Sequence, residues 1–204
     1  NFHGSGWLRN YIKCSTDDVT KTRVDEVVRS SENGILIMTN GPFMEVSMRS
    51  QDSGAEPSLP GQNLFCPDGN GELYVRVQCA NWLDINRVQI ILNSRPAKNK
   101  NFVRREQPDL FGSDIVKFDH NIYIELTVDA HVIVVTIGDG LVLGPVVGPS
   151  YSEDQPATVS NPILSDVDGN GFRPNGDQLD YPLPIDGDQD TSTQGSVKDN
   201  TPTG

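Results

Sequence analysis

With 204 residues the chain has room for one domain, or one domain with attachments. Only 35% of the residues are hydrophobic, and 19 glycines with 14 prolines point to a turn-rich, mainly β protein with disordered margins. The net charge of −12 repels phosphate backbones and argues against nucleic acid as a partner, and no apolar run reaches membrane-spanning length.

The charge is unevenly spread. Half of it, −6, lies between Asp166 and the end, where eight Asp face only Arg173 and Lys198. Cys14, Cys66 and Cys79 are odd in number and contain no CxxC pair. A Cys66–Cys79 bridge across one strand is conceivable, but buried thiols are the expected state. The chain begins at Asn1 without a signal-like stretch and reads as the C-terminal part of a longer protein, which leaves its compartment unknown.

Residues 1–21 are polar, with scattered aromatics and no period; they read as an irregular segment that needs a neighbour to pack on. A short helix follows. Thr22 with Asp25 resembles a capping box, Val24, Val27 and Val28 form one apolar stripe, and Asn33-Gly34 supplies a left-handed stop. Three valines cannot hold an isolated helix, so it must dock.

From Ile35 the period changes to two. Residues 35–40 and 43–48 read as strands, and 49–71 as a long polar connection. Residues 73–79 put Leu73, Val75, Val77 and Cys79 on one face. Residues 87–93 turn Val88, Ile90 and Leu92 inward, and 122–128 alternate again. The run 131–138 is more continuously apolar and therefore more central. Only Asp129-Ala130 separates these last two strands, an abrupt passage that suits a chain crossing between two sheets, with a simple hairpin as the alternative. Residues 139–158 form a Gly/Pro loop and 158–164 a closing strand. The expected fold is an immunoglobulin-like β-sandwich over 35–165, preceded by the tail end of an upstream domain over 1–34 and followed by an acidic disordered tail over 186–204.

Between sandwich and tail, residues 166–185 hold the most specific motif. Asp166, Asp168 and Asn170 occupy positions 1, 3 and 5 of a twelve-residue loop, Gly171 position 6 and Asp177 position 12. That is the ligand spacing of an EF-hand-type calcium loop, in which alternate side chains of a tight turn offer oxygens to a hard cation. The Phe172 carbonyl would fill position 7. The motif departs from the pattern at position 9, which is Pro174, and at position 12, where Asp is shorter than the usual Glu. Residues 181–184 exclude a following helix. A solvated Asp/Asn/Gly turn is the competing reading. A weak calcium site of this kind suits a secreted or periplasmic setting.

Catalytic signals are sparse. His3, His120 and His131 are far apart, without HxH or HExxH; His131 reads as a packed side chain, while His3, beside glycines, is a candidate for a pocket edge. There is no GxSxG and no phosphate-binding loop. Trp82, amid polar residues, could stack on a sugar, but a buried core Trp is the favoured reading.

Four stretches, 3–18, 35–46, 79–93 and 159–172, together resemble the C-terminal region of metal-dependent hydrolases with a PHP (polymerase and histidinol phosphatase) domain, in the branch that includes carbaryl hydrolase. Thr39-Asn40-Gly41-Pro42 matches a "TNGP" strand there and Ser160-Asn161-Pro162-Ile163 a "TNPI" segment. The resemblance implies a parent enzyme that hydrolyses an ester, amide or phosphoester with water activated by a divalent metal such as Zn2+ or Mn2+. No family ligand transfers to a numbered residue here. The fragment would then be an inactive accessory β-domain whose partner is the upstream catalytic domain. The alternative is a non-catalytic, calcium-stabilised extracellular β-module that binds a glycan or a protein.

Overall fold

The computed structural model describes residues 8–51, 54 and 56–174. His3, Asp177 and the acidic tail over 186–204 lie outside the described residues. The alternating segments form strands: β2 (Leu36–Thr39), β3 (Phe43–Ser50), β5 (Asn70–Gln78), β6 (Arg87–Leu92), β8 (Val116–Glu125), β9 (Ala130–Ile137), β10 (Ala157–Ser160) and β11 (Ile163–Asp166). Three more arise where the pattern predicted none: β1 (Arg9–Ile12), β4 (Asn63–Phe65) and β7 (Arg95–Val103). One helix, α1 (Val24–Glu32), precedes β2.

The strands make a two-layer sandwich. β3, β5 and β8 form an antiparallel three-stranded sheet. The other eight form the larger sheet, centred on β9. One edge of β9 pairs with β6, which in turn pairs with β7. Its other edge is shared by β10 and β11, two halves of one path interrupted at Asn161-Pro162. β10 continues to β2 and β1, and β11 pairs in parallel with β4.

Period two explains the core. Leu73, Val75 and Val77 of β5 are fully buried, and they face Val88 and Ile90 of β6 and Val132 and Val134 of β9, also buried. Each such side chain contributes about 1.5–3 kcal/mol by leaving water. Residues 126–129 carry the chain from the smaller sheet to the larger, a change of sheet and not a hairpin.

Local chemistry accounts for the differences. β7 follows β6 through Asn93 and Ser94 at φ 48° and 63°, the left-handed pair that a two-residue hairpin requires, although its lysines and asparagines hide any strand alternation. β1, expected to belong to a neighbouring body, pairs with β2 from Arg9↔Thr39 to Ile12↔Leu36 and becomes an edge of the sandwich. α1 ends as predicted, with Gly34 at φ +69°. The capping box is absent: Arg23 is the N-cap without a side-chain bond, and Thr22 donates its hydroxyl to the Asp18 carbonyl instead.

Candidate cation site

At one end of the sandwich β11 runs into the Asp-rich loop, beside the β8–β9 junction. Gly169 and Gly171 take φ +78° and +87°, values that let the chain curl around its own carboxylates. Asp166 Oδ1 accepts the Gly169 N–H at 2.8 Å, and its Oδ2 accepts that of Gly171 at 3.0 Å. Asp168 Oδ1 accepts the Asn170 N–H at 3.1 Å. The Asn170 amide donates to the other oxygen of Asp168, so this side chain turns onto its neighbour. Phe172 lies half-buried in the same loop.

A residue that the motif does not contain completes the cluster. Asp129, at the β8–β9 junction, accepts the Val167 N–H on Oδ1 and the Arg173 N–H on Oδ2, each at 2.9 Å. These two donors, Val167 first, hold its carboxyl below the usual carboxylate range despite some loss of water. Asp129, Asp166 and Asp168 thus each offer an oxygen within 4.8 Å of the others. None of the three makes a salt bridge among the described residues. A carboxylate has about four lone-pair sites, and two N–H donors leave acceptor capacity free on Asp129 and Asp166. The donor set is all hard oxygen, which suits Ca2+, Mg2+ or Mn2+ and not a thiolate- or imidazole-seeking metal.

The remaining candidates are dispersed. His120 is in the smaller sheet, where its Nε2 meets the Leu110 carbonyl at 2.9 Å and its ring packs edge-on to Phe118. His131 is in the larger sheet beside Ser94. The cysteines form no disulfide. Burial, followed by the nearby charge of Asp84, pushes the Cys79 thiol up to about 12, so it is no nucleophile.

Trp82 corrects the expectation of a core tryptophan. It is 57% exposed at the opposite end of the sandwich, while the adjacent Leu83 takes the buried place against Gly41. Below it Asp84 receives both terminal nitrogens of Arg104, at 2.6 and 2.8 Å, and Lys117 at 3.6 Å. Burial pushes the Asp84 carboxyl up, but Arg104, Lys117 and the Ile85 N–H outweigh it and leave it below the ordinary range.

The two short motifs lie on the paired strands β2 and β10 and the turn after β10, each bonded to residues outside the other. Thr158 pairs with Thr39 in the sheet, and the Thr158 hydroxyl donates to Thr39 Oγ1 at 2.8 Å. Asn40 binds the Gln155 carbonyl and the Ala157 N–H, at 2.8 and 2.7 Å. Asn161 reaches the Gly34 carbonyl at 2.9 Å. These side chains are spent on fastening β2 to β10. No family model, curated protein or solved structure matches the chain.

Proposed function

We propose that this chain is a non-catalytic β-sandwich module whose C-terminal loop is fastened by Ca2+, held by Asp129, Asp166 and Asp168. The observation that carries the reading is the arrival of Asp129 from a separate junction to join the two loop aspartates. Three carboxylates at such spacing repel one another unless protonated or compensated by a cation, and among the described side chains only the charge of Arg173 acts on the cluster, without a salt bridge. Phe172 O and residues further along would complete the coordination sphere together with water.

Calcium that binds only the folded state stabilises it by about 2.7 kcal/mol at a hundredfold excess over Kd. For a domain of this size that corresponds to a rise in Tm of about 5–10 °C. Thermal melts in calcium and in chelator, on the wild type and on Asp166→Asn, test the proposal. Equal melting temperatures with and without calcium in the wild type would exclude it.

A second reading rests on the likeness of the motif stretches to PHP-type hydrolases alone. In this reading the module is the accessory domain of a PHP-type metal-dependent hydrolase, with the catalytic metals upstream. Sequencing the region encoding the preceding residues decides this: a parent without an HxH pair and a late Asp-x-His ends the hydrolase reading. The two proposals are compatible, since the calcium loop and the upstream chemistry are separate.

A further inference from the structure

We propose that the free edge of β7 is a docking surface for the chain's own Asp-rich segment over 178–199, held by Arg95, Lys98 and Lys100. This does not rest on the calcium reading, because the segment follows the candidate loop in sequence. Charge is the first ground. Residues 85–105 contain six Lys and Arg and no acid, on a protein of net charge −12. Arg87, Arg104 and Arg105 are paired with Asp139, Asp84 and Glu106. Arg95, Lys98 and Lys100 make no salt bridge among the described residues. Arg95 and Lys98 are exposed and Lys100 is half-buried, so all three can be reached from solvent.

The shape of the edge decides how it can recognise anything. Among the described residues β7 pairs with β6 alone, which leaves its other side open. The pairing shifts between Gln89↔Asn101 and Ile91↔Pro96, so the β7 residues between Pro96 and Asn101 bulge, with Asn99 at φ 59°. A bulge bends the edge and breaks the even row of N–H and C=O groups that a further strand would need. The cationic side chains are therefore the recognition element, and an extended acidic segment is the ligand that they fit.

The second ground is where the chain leaves the sandwich. The Arg173 N–H binds Asp129 Oδ2 at 2.9 Å, and the Asn93 side-chain amide donates to the carbonyl of the same Asp129 at 3.1 Å. Asn93 opens the hairpin turn into β7, whose first residue is Arg95. At Arg173 the chain thus stands beside the end of β7 where the free cations begin. β7 has nine residues, about 30 Å as a strand. Residues 175–190 can span at most about 50 Å, enough to follow its whole length. Between 178 and 199 five Asp oppose only Lys198. Exposed ion pairs are individually weak and screened by salt. A tether in the same chain offsets that weakness by holding the acids at an effective concentration in the millimolar range.

The test uses NMR of the whole chain with chelator in every sample, so that failure of the calcium site leaves it standing. A nitroxide is attached at Gln189→Cys in a Cys14→Ser background, since Cys66 and Cys79 are buried. In about 0.01 M salt the label should broaden the amides of Lys98, Asn99 and Lys100, and in about 0.5 M salt, where the screening length falls to a few ångströms, the broadening should vanish. Arg95→Gln with Lys98→Gln and Lys100→Gln should abolish it at low salt while the rest of the spectrum is unchanged. A capped oligo-aspartate added to the unlabelled chain should shift the same amides. It should bind about tenfold more tightly once Asp186, Asp188 and Asp190 are changed to Asn, because the tethered acids no longer compete. Should the triple Gln variant unfold, the salt dependence and this competition still decide. Broadening that is absent at low salt or spread evenly over the sandwich would overturn the proposal. So would equal oligo-aspartate binding with and without the three Asn changes, which would make the edge a site for acidic partners from outside the chain.

Discussion

The two ends of the sandwich handle negative charge in opposite ways. At the Trp82 end, Asp84 is gripped by Arg104 and Lys117, and Asp139 by Arg87 at 2.7 Å. At the other end, Asp129, Asp166 and Asp168 share a space of 4.8 Å with backbone N–H groups but no salt bridge. Carboxylates at the first end are neutralised from within the fold. Those at the second have backbone N–H donors and, among the described residues, no salt bridge, which is the ground for the proposed cation. The difference separates a structural ion-pair network from a site.

The comparison can be broken in several places. The largest effect should come from the cation end: calcium raises Tm by about 5–10 °C, and Asp166→Asn or Asp129→Asn removes the increase. The Asp129 variant is the sharper test, because the motif alone assigns that residue no role; a full calcium response in Asp129→Asn would reduce the site to the loop. At the opposite end, Asp84→Asn should lower stability by about 1–3 kcal/mol at neutral pH, measured by urea unfolding. The figure stays below that of a fully buried pair because Asp84 is about one-third exposed.

That second effect has a defined pH dependence. The folded-state value of Asp84 lies below the unfolded one, so its contribution is complete above the unfolded value of about 4 and disappears as pH falls through the folded value. The difference between wild type and Asp84→Asn should therefore close in acid; a difference that grew below about pH 4 would contradict the ion-pair network. A smaller effect concerns Cys79, whose buried thiol should resist alkylation in the native state and react only on unfolding, as followed by mass spectrometry. The smallest is Trp82→Ala, which should change stability by under about 0.5 kcal/mol because the ring is exposed. Any loss of glycan binding in that variant would then locate a sugar surface rather than a folding defect.

What the residues reveal in advance follows from how locally each feature is determined. β5 is legible by its strict alternation and β9 by its continuous apolar run. The crossing between β8 and β9 is legible as an abrupt junction, but whether it is a hairpin or a change of sheet is decided only by the packing of the two layers. β1, β4 and β7 are not, since edge strands carry polar side chains and gain their hydrogen bonds from a neighbour distant in sequence. Asp166 and Asp168 show themselves by spacing within one loop, but Asp129 joins them only through the tertiary fold. Trp82 misleads because a large aromatic ring signals burial, whereas here the smaller Leu83 fits the space beside Gly41.

The interruption at Asn161-Pro162 has one more consequence. Where the path along β9 forks, the Gly61 N–H binds the Pro162 carbonyl, and a Cβ at Gly61 would lie within 2.4–2.5 Å of Asn33 and Gly34 backbone atoms. Three stretches of chain are wedged together so closely that a single methyl group cannot enter. Such a junction acts as a ruler: none of the three can lengthen without prising the others apart. Chains of this architecture that differ in size must take up the extra residues elsewhere, as in the open loop over 139–156.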